Sequence, residues 1–132
     1  MEREGYVSIW LGNFPDDSAL MEYAAEDCVE YDEDDGSGIE RPSQFSKDFF
    51  GGMIWAFDPD FWEREVVGSS SDIAELVSPF SYGDTFELKN IVLDRTYNAV
   101  ILVYDYEYEP KANPANAPVE FIAAVPYENL DL

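Results

Sequence analysis

Histidine is absent from this 132-residue chain, and cysteine occurs only once. Without an imidazole there is no catalytic histidine, no histidine metal ligand and no histidine pH switch. For the same reason Cys28 has no imidazole partner, which excludes cysteine–histidine nucleophilic catalysis. A single cysteine cannot form an intramolecular disulfide either, and it agrees with a reducing compartment.

Positive charge is scarce as well, because 7 basic residues face 29 acidic ones and leave a formal net charge of −22. Binding a phosphate backbone requires Lys and Arg, so neither nucleic acid nor an anionic membrane is an expected partner. No apolar run reaches the roughly 18 residues of a membrane span, and the N-terminus has no signal-peptide pattern. We therefore expect a cytoplasmic protein that attracts cations and basic proteins.

What the chain does contain is apolar and aromatic material, at 46% and 16% of the residues. This is too much for a disordered acidic tail, which is poor in aromatics. The length suits one domain with a real core, and no internal repeat or interdomain linker is visible.

The first half of the chain predicts a strand followed by helices. Alternation over residues 6–12 places Val7, Ile9 and Leu11 on one face of a strand. A helix with Asp16 as its N-cap should follow and bury an apolar stripe formed by Leu20, Tyr23, Ala24 and Cys28. A short helix with Pro42 and Ser43 in its first turn should carry Phe45 and Phe49 inward.

In the middle of the chain, residues 61–66 favour a strand over a helix. Ser and Asp capping candidates precede a helix containing Ile73, Leu76 and Val77. Residues 82–94 predict another helix, with a strand as the alternative because Ile91 and Val92 are β-branched.

The clearest element is the segment NAVILVYDYEY. Residues 99–103 are apolar on both faces, as in a central strand, and Tyr104, Tyr106 and Tyr108 should then share one face. Residues 119, 121, 123 and 125 alternate again, so we expect an antiparallel hairpin with a long loop. The predicted fold is a single α+β domain, with a mainly antiparallel sheet of an N-terminal strand and a C-terminal hairpin packed against several short helices.

Six acidic residues crowd the segment VEYDEDDGSGIE, which we expect to be a loop. Calcium-binding loops of twelve residues carry acids at positions 1, 3 and 5, Gly at 6 and Glu at 12. Neither Gly36 nor Gly38 gives that register, so no metal site is expected. The density of carboxylates is compatible with three hypotheses: a solvated loop, a docking surface for a basic protein, and weak divalent-cation binding by Asp32, Asp34 and Asp35.

Carboxylates spaced by two residues could share a face of an extended chain, as in a glycosidase pair. The chain offers such pairs at residues 58 and 60, 63 and 65, and 105 and 107. With 29 acids in the chain, pairs of this kind arise by chance, and solvated surface is the favoured interpretation. We expect no catalytic residues.

The segments VSIWLGNF, SQFSKDF, WAFDPDFWERE, FSYGDTF, NAVILVYDYEY and FIAAVPY, in this order, resemble the immunity protein 22 family of bacterial polymorphic-toxin systems. The resemblance runs over nearly the whole chain, although Ala123 and Ala124 stand where a glycine would be expected. It implies one immunity-protein-like domain over residues 1–132 that binds and neutralises a cognate toxin domain, often a nuclease. It implies no cofactor and no enzymatic activity.

A toxin that grips nucleic acid is basic, so an acidic inhibitor would meet it with strong electrostatic steering. Acidic residues supply the candidate docking face, and aromatic types enriched in interface hot spots supply the anchors. The candidate partner-binding residues are Glu30, Asp32, Glu33, Asp34, Asp35, Trp55, Asp58, Asp60, Trp62, Asp105, Tyr106 and Glu107. The alternatives are an acidic adaptor or DNA mimic that binds basic proteins generally, and a small carboxylate-dependent enzyme.

Overall fold

The computed structural model describes residues 2–24, 27–31, 38–41, 43–50, 61–80, 82–89, 91–109 and 117–128. For residues 2, 27–31, 38–41 and 84 only the backbone is described. Numbered along the chain, the strands are β1 (Glu2–Gly12), β2 (Asp27–Tyr31), β3 (Gly38–Arg41), β4 (Trp62–Ser70), β5 (Tyr97–Tyr106) and β6 (Val119–Pro126). The helices are α1 (Asp17–Ala24), α2 (Gln44–Phe49) and α3 (Ile73–Val77).

Four strands form one sheet in the order β4-β5-β1-β6, and every neighbouring pair in it is antiparallel. Strands β2 and β3 pair separately as a two-stranded antiparallel sheet. Helices and irregular segments cover both faces of the larger sheet, so the α+β fold class expected from the sequence is confirmed.

Two hydrophobic cores lie on opposite faces of this sheet. The first core contains Val7, Ile9 and Leu11 of β1 and is covered by α3 and the segment that follows it. The second core contains Trp10 and is covered by α1 and α2. The alternation expected for β1 is therefore confirmed, and both of its faces are buried, as suits a strand in the interior of a sheet.

Each helix begins at the polar residue that caps it. Asp16 accepts a hydrogen bond from the backbone N–H of Ala19 at 2.9 Å, and Ser43 accepts one from Ser46 at 2.9 Å. Asp72 accepts from the Ala74 N–H at 3.0 Å. These side chains satisfy donors that have no partner inside the helix, which confirms the predicted caps of α1 and α3. Ser43, expected in the first turn of α2, is instead its N-cap.

The first helix is shorter than its apolar stripe suggested. Leu20, Tyr23 and Ala24 are buried as expected, but α1 ends at Ala24 and Cys28 lies in β2. The prediction of a loop over the whole acidic segment is also wrong, since Glu30 belongs to β2 and residues 38–40 belong to β3. Residues 32–37 lie outside the described part of the chain.

The helix expected over residues 82–94 is wrong. The only regular structure described there is the 3-10 turn Gly83–Thr85, which follows Tyr82 in the left-handed region at φ 64°. A Cβ on Gly83 would lie 2.1 Å from the Val77 carbonyl oxygen, so the chain must pass α3 too closely for any other residue. This close crossing turns the chain across α3, and the segment after it runs irregularly over the first core.

The C-terminal hairpin is also wrong, because β1 lies between β5 and β6 and pairs with both. β1 is apolar on both faces and therefore takes an interior position, which leaves β6 at the edge. Gly12 permits the close approach of β6, since a Cβ there would lie 2.3 Å from the Pro118 carbonyl oxygen.

The shared tyrosine face predicted for the end of β5 is interrupted at Asp105. Tyr104 packs in the first core, whereas Tyr106 and Tyr108 pack in the second. Asp105 has φ 54°, and the pairing of β1 with β5 shifts register at this point, so the alternation of side chains reverses.

The face predicted for residues 119–125 is interrupted in the same way. A register shift between β1 and β6 places Val119 and Phe121 against the second core. Ala123 and Val125 pack against the first. A strict period of two cannot anticipate such extra residues.

Candidate functional site

Two of the predicted aromatic anchors, Trp62 and Tyr106, lie at the border of the second core. Both are half-buried. The Trp62 ring stacks on Phe45 with centroids 6.4 Å apart, and the Arg64 guanidinium lies 3.9 Å from the Trp62 ring centroid. Tyr106 contacts Phe50 edge-on at 5.8 Å. These contacts fix both rings while leaving part of each open to a partner.

Next to Trp62, Phe61 is 48% exposed and is the most open aromatic in the described part of the chain. Its carbonyl accepts the Tyr104 backbone N–H at 2.7 Å, so the sheet holds its backbone in place. No local pattern favours Phe61 over its neighbours, because its exposure depends on where β4 begins.

Asp105 has a structural task within the sheet. Its Oδ1 accepts the backbone N–H of Gly5 at 2.9 Å and the hydroxyl of Tyr127 at 2.8 Å. Gly5 has φ 82°, so two residues with positive φ face each other across the register shift of β1 and β5. The Asp105 carboxylate therefore stabilises this irregular end of the sheet through two charge-assisted hydrogen bonds.

Glu107 and Arg3 form an ion pair on the surface. The same guanidinium lies 3.8 Å from the centroid of the Tyr6 ring, a cation–π arrangement. Since both charged side chains are substantially exposed, at 37% and 49%, the pair contributes little to stability. Glu107 is thus reachable by a partner, in competition with Arg3.

The structure brings Trp62 and Tyr106 to the same core, whereas the Asp105 carboxylate reaches Tyr127 in the core on the opposite face. The remaining candidates cannot be located in the same way. Glu30 lies in β2 with only its backbone described, and Asp32, Glu33, Asp34, Asp35, Trp55, Asp58 and Asp60 lie outside the described residues. Their role in binding a partner stays a prediction.

Sequence reasoning missed a recurring contact in which a tyrosine hydroxyl donates to a carboxylate. The pairs are Tyr23 with Asp48 at 2.8 Å, Tyr97 with Glu120 at 3.1 Å, Tyr104 with Glu63 at 3.0 Å, and Tyr127 with Asp105 at 2.8 Å. Partners are 22 to 41 residues apart in the chain, so no local pattern reveals them. Some of the acidic side chains therefore stabilise the fold by accepting hydrogen bonds from tyrosines.

These contacts alter the tyrosines. Burial, strengthened by the hydrogen bond and charge of Glu120, raises the pKa of Tyr97 to about 12. Burial first and the neighbouring carboxylate second also raise the pKa of Tyr23, Tyr104 and Tyr127 well above the usual range. All four hydroxyls stay protonated near neutral pH and act as hydrogen-bond donors.

Several of the segments that carry the family resemblance have a structural role. Trp10 is fully buried and contacts Phe45, Phe49, Phe50, Tyr108 and Phe121 with ring centroids 5.0 to 5.9 Å apart. The Asn98 amide accepts the Phe14 backbone N–H at 2.8 Å and donates to the Phe14 carbonyl at 2.7 Å. These motifs hold the sheet together.

Grooves on the described surface include two near the predicted residues. One, of about 590 Å³, lies between residues 107–109 and residues 121–124 of β6. The other, of about 320 Å³, is lined by residues 63–65 together with Pro79 and Phe80. It brings Glu63 and Glu65 to one opening, but Glu63 is held by the Tyr104 hydroxyl.

Among the side chains that the structure describes, no three His, Cys, Asp or Glu residues are grouped closely enough to hold a metal ion. Within the same described part of the chain, every helix is too short or too polar to cross a bilayer.

Comparison with known proteins places the whole fold in one family. The model of the family described as immunity protein 22 matches residues 7–128. Searches of curated proteins and of solved structures gave no match. The matched range includes β1 from Val7 onward, the other strands and the helices that the structure describes. The chain therefore belongs to the immunity protein 22 family.

Proposed function

We propose that this protein neutralises a basic, nuclease-type toxin domain by forming a stoichiometric protein–protein complex in the cytoplasm. Family membership supports the general role, which is neutralisation of a toxin. The observation that carries the specific proposal is the net charge of −22, which complements a toxin built to grip phosphate. The protein acts by binding and not by catalysis.

Three of the seven basic residues are held in contacts on the surface that the structure describes. Arg3 pairs with Glu107, and Arg95 pairs with Glu120 at 3.1 Å and with Asp94 at 3.5 Å. Arg64 lies against the Trp62 ring. A basic protein approaching this surface therefore meets carboxylates whose neighbouring cations are already occupied, and the negative field dominates.

Charge of this size acts mainly on the rate of encounter. Steered association between oppositely charged proteins reaches about 10⁸ to 10⁹ M⁻¹s⁻¹ at low salt, against about 10⁵ to 10⁶ without steering. The lifetime of the complex depends instead on apolar contacts that exclude water. Phe61 and the exposed part of Trp62 supply such contacts beside the acidic surface.

The toxin itself is the first experimental question. The C-terminal domain encoded immediately upstream is expressed with and without this protein, and growth and complex formation are measured. We expect arrested growth without the protein, normal growth with it, and a 1:1 complex. Toxicity that persists although the protein is well expressed would refute the proposal, as would binding to unrelated basic proteins that collapses at a few hundred millimolar salt.

The acidic segment is tested by comparing two variants that have the same net charge. The variant D32N/E33Q/D34N/D35N and the control E22Q/E75Q/E87Q/E128Q each lose four negative charges, the control from exposed positions elsewhere. If the segment faces the toxin, only the first variant should slow association and flatten its dependence on salt. Equal association rates for the two variants would remove the segment from the interface.

A further inference from the structure

We propose that an extended, lysine- or arginine-bearing segment of the toxin docks along the outer edge of β6 and hydrogen-bonds the backbone of Ala124. It occupies the groove between residues 107–109 and residues 121–124. This inference rests on the proposed function, and it names the surface and the kind of toxin segment involved.

The position of β6 in the sheet decides which backbone groups are open. β6 is the last strand of the order β4-β5-β1-β6. Tyr127 donates its backbone N–H to the Gly5 carbonyl at 2.9 Å. Because residues of an antiparallel pair alternately turn their N–H and C=O toward the partner and away from it, Ala124 and Pro126 turn theirs away from β1.

The next outward position along this edge, Pro126, is closed. Pro126 has no N–H, and its carbonyl accepts the Glu87 backbone N–H at 3.1 Å. At the opposite edge of the sheet, the outward N–H of Val66 on β4 donates to Asp17 at 3.0 Å. A proline and side-chain or loop partners are common ways to block an exposed strand edge. No such partner is described for the backbone of Ala124.

The groove next to Ala124 has a preformed wall. Tyr108 contacts Phe121 with ring centroids 4.8 Å apart, and its backbone N–H donates to Ser8 Oγ at 2.9 Å. Residues 121–124 are all partly exposed, so the floor offers apolar surface to a ligand. A rigid wall lowers the entropic cost of binding.

Charge selects the occupant. Glu107 and Glu109 line the groove, and Glu109 is exposed. With the overall charge of −22, these acids favour a cationic side chain over an acidic or neutral one. The register shift beside Ile122 shortens the straight part of the edge, so a bound segment makes few backbone hydrogen bonds and depends on the groove for its remaining contacts.

Three variants test this surface with an inactivated form of the upstream toxin domain as the probe. A124P removes an outward N–H while leaving the residues that face β1 unchanged, and E109K reverses a charge at the rim. The control E75K makes the same change in charge at an exposed residue of α3. Thermal unfolding of each variant checks the fold, and E109K is expected to fold normally because Glu109 is exposed.

The proposal expects E109K and A124P to raise the dissociation constant about tenfold or more, and E75K to raise it less than about threefold. The amide of Ala124 should also become protected from hydrogen exchange in the wild-type complex. If the wild type binds and protects but E109K behaves like E75K and Ala124 exchanges freely, the groove is refuted while the immunity function stands. If the wild type neither binds nor protects, both proposals fail.

Discussion

Replacing Asp105 by alanine separates a residue of the fold from a residue of the interface. The substitution removes the acceptor for the Gly5 N–H and the Tyr127 hydroxyl and leaves a residue other than glycine at φ 54°. Each hydrogen bond to a charged acceptor contributes about 1.5 kcal/mol to stability, which is the lower end of the usual range and applies because Asp105 is half-buried. Alanine lacks the short polar side chain that lets aspartate adopt left-handed geometry, which adds up to about 1 kcal/mol to the loss.

The expected loss for D105A is therefore about 3 to 4 kcal/mol, equivalent to a fall in Tm of about 10 °C for a chain of this size. Urea unfolding followed by tryptophan fluorescence measures it. Glycine relieves the backbone but not the lost bonds, and asparagine keeps an acceptor, so D105N should lose only about 1 kcal/mol. A D105A protein within about 1 kcal/mol of wild type would refute the structural role.

The remaining predictions concern the cores and the tyrosines. W10A should lose about 3 to 5 kcal/mol in urea unfolding because Trp10 is fully buried, and a smaller loss would contradict its central place in the second core. G12A should lose about 1 to 3 kcal/mol, since its Cβ would meet the Pro118 carbonyl, and an unchanged urea midpoint would show that β6 moves freely. Burial and Glu120 raise the pKa of Tyr97 to about 12. The protonated Tyr97 hydroxyl therefore contributes fully to stability below the pKa of an unfolded tyrosine, near 10, and this stability is lost as pH rises from there toward about 12. The urea midpoint should fall over that range, and tyrosinate absorbance that titrates fully near pH 10 in the folded protein would contradict it.

Local patterns in the sequence predicted much of the fold. The alternation of β1, the caps Asp16 and Asp72, and the inward Phe45 and Phe49 are properties of a few adjacent residues, and the structure confirms them. Capping and periodicity act over a single turn or strand, which is why they can be read without knowing the rest of the chain.

Tertiary features could not be read in this way. The insertion of β1 between β5 and β6 depends on which strand is best buried on both faces. The hairpin was predicted only because β5 and β6 are consecutive in the chain. The turn after Tyr82 depends on the close passage of Gly83 over Val77. Each of these is decided by contacts between residues far apart in the chain or by a single strained backbone position.

The candidate site shows the same division. The sequence indicated an acidic surface with aromatic anchors, and Trp62 and Tyr106 do lie at one core with part of each ring exposed. It could not show that Asp105 is occupied by Gly5 and Tyr127, because that contact spans the sheet. The same residue types stabilise the fold and bind a partner, so the sequence alone does not distinguish the two roles.

The most direct test of the central claim is a titration of the upstream toxin domain with this protein, measured through the activity of the toxin on nucleic acid. Stoichiometric inhibition by a tight complex predicts activity that falls linearly and reaches zero at one equivalent. Full activity beyond several equivalents, or complete loss at a small fraction of one equivalent, would contradict neutralisation by a 1:1 complex.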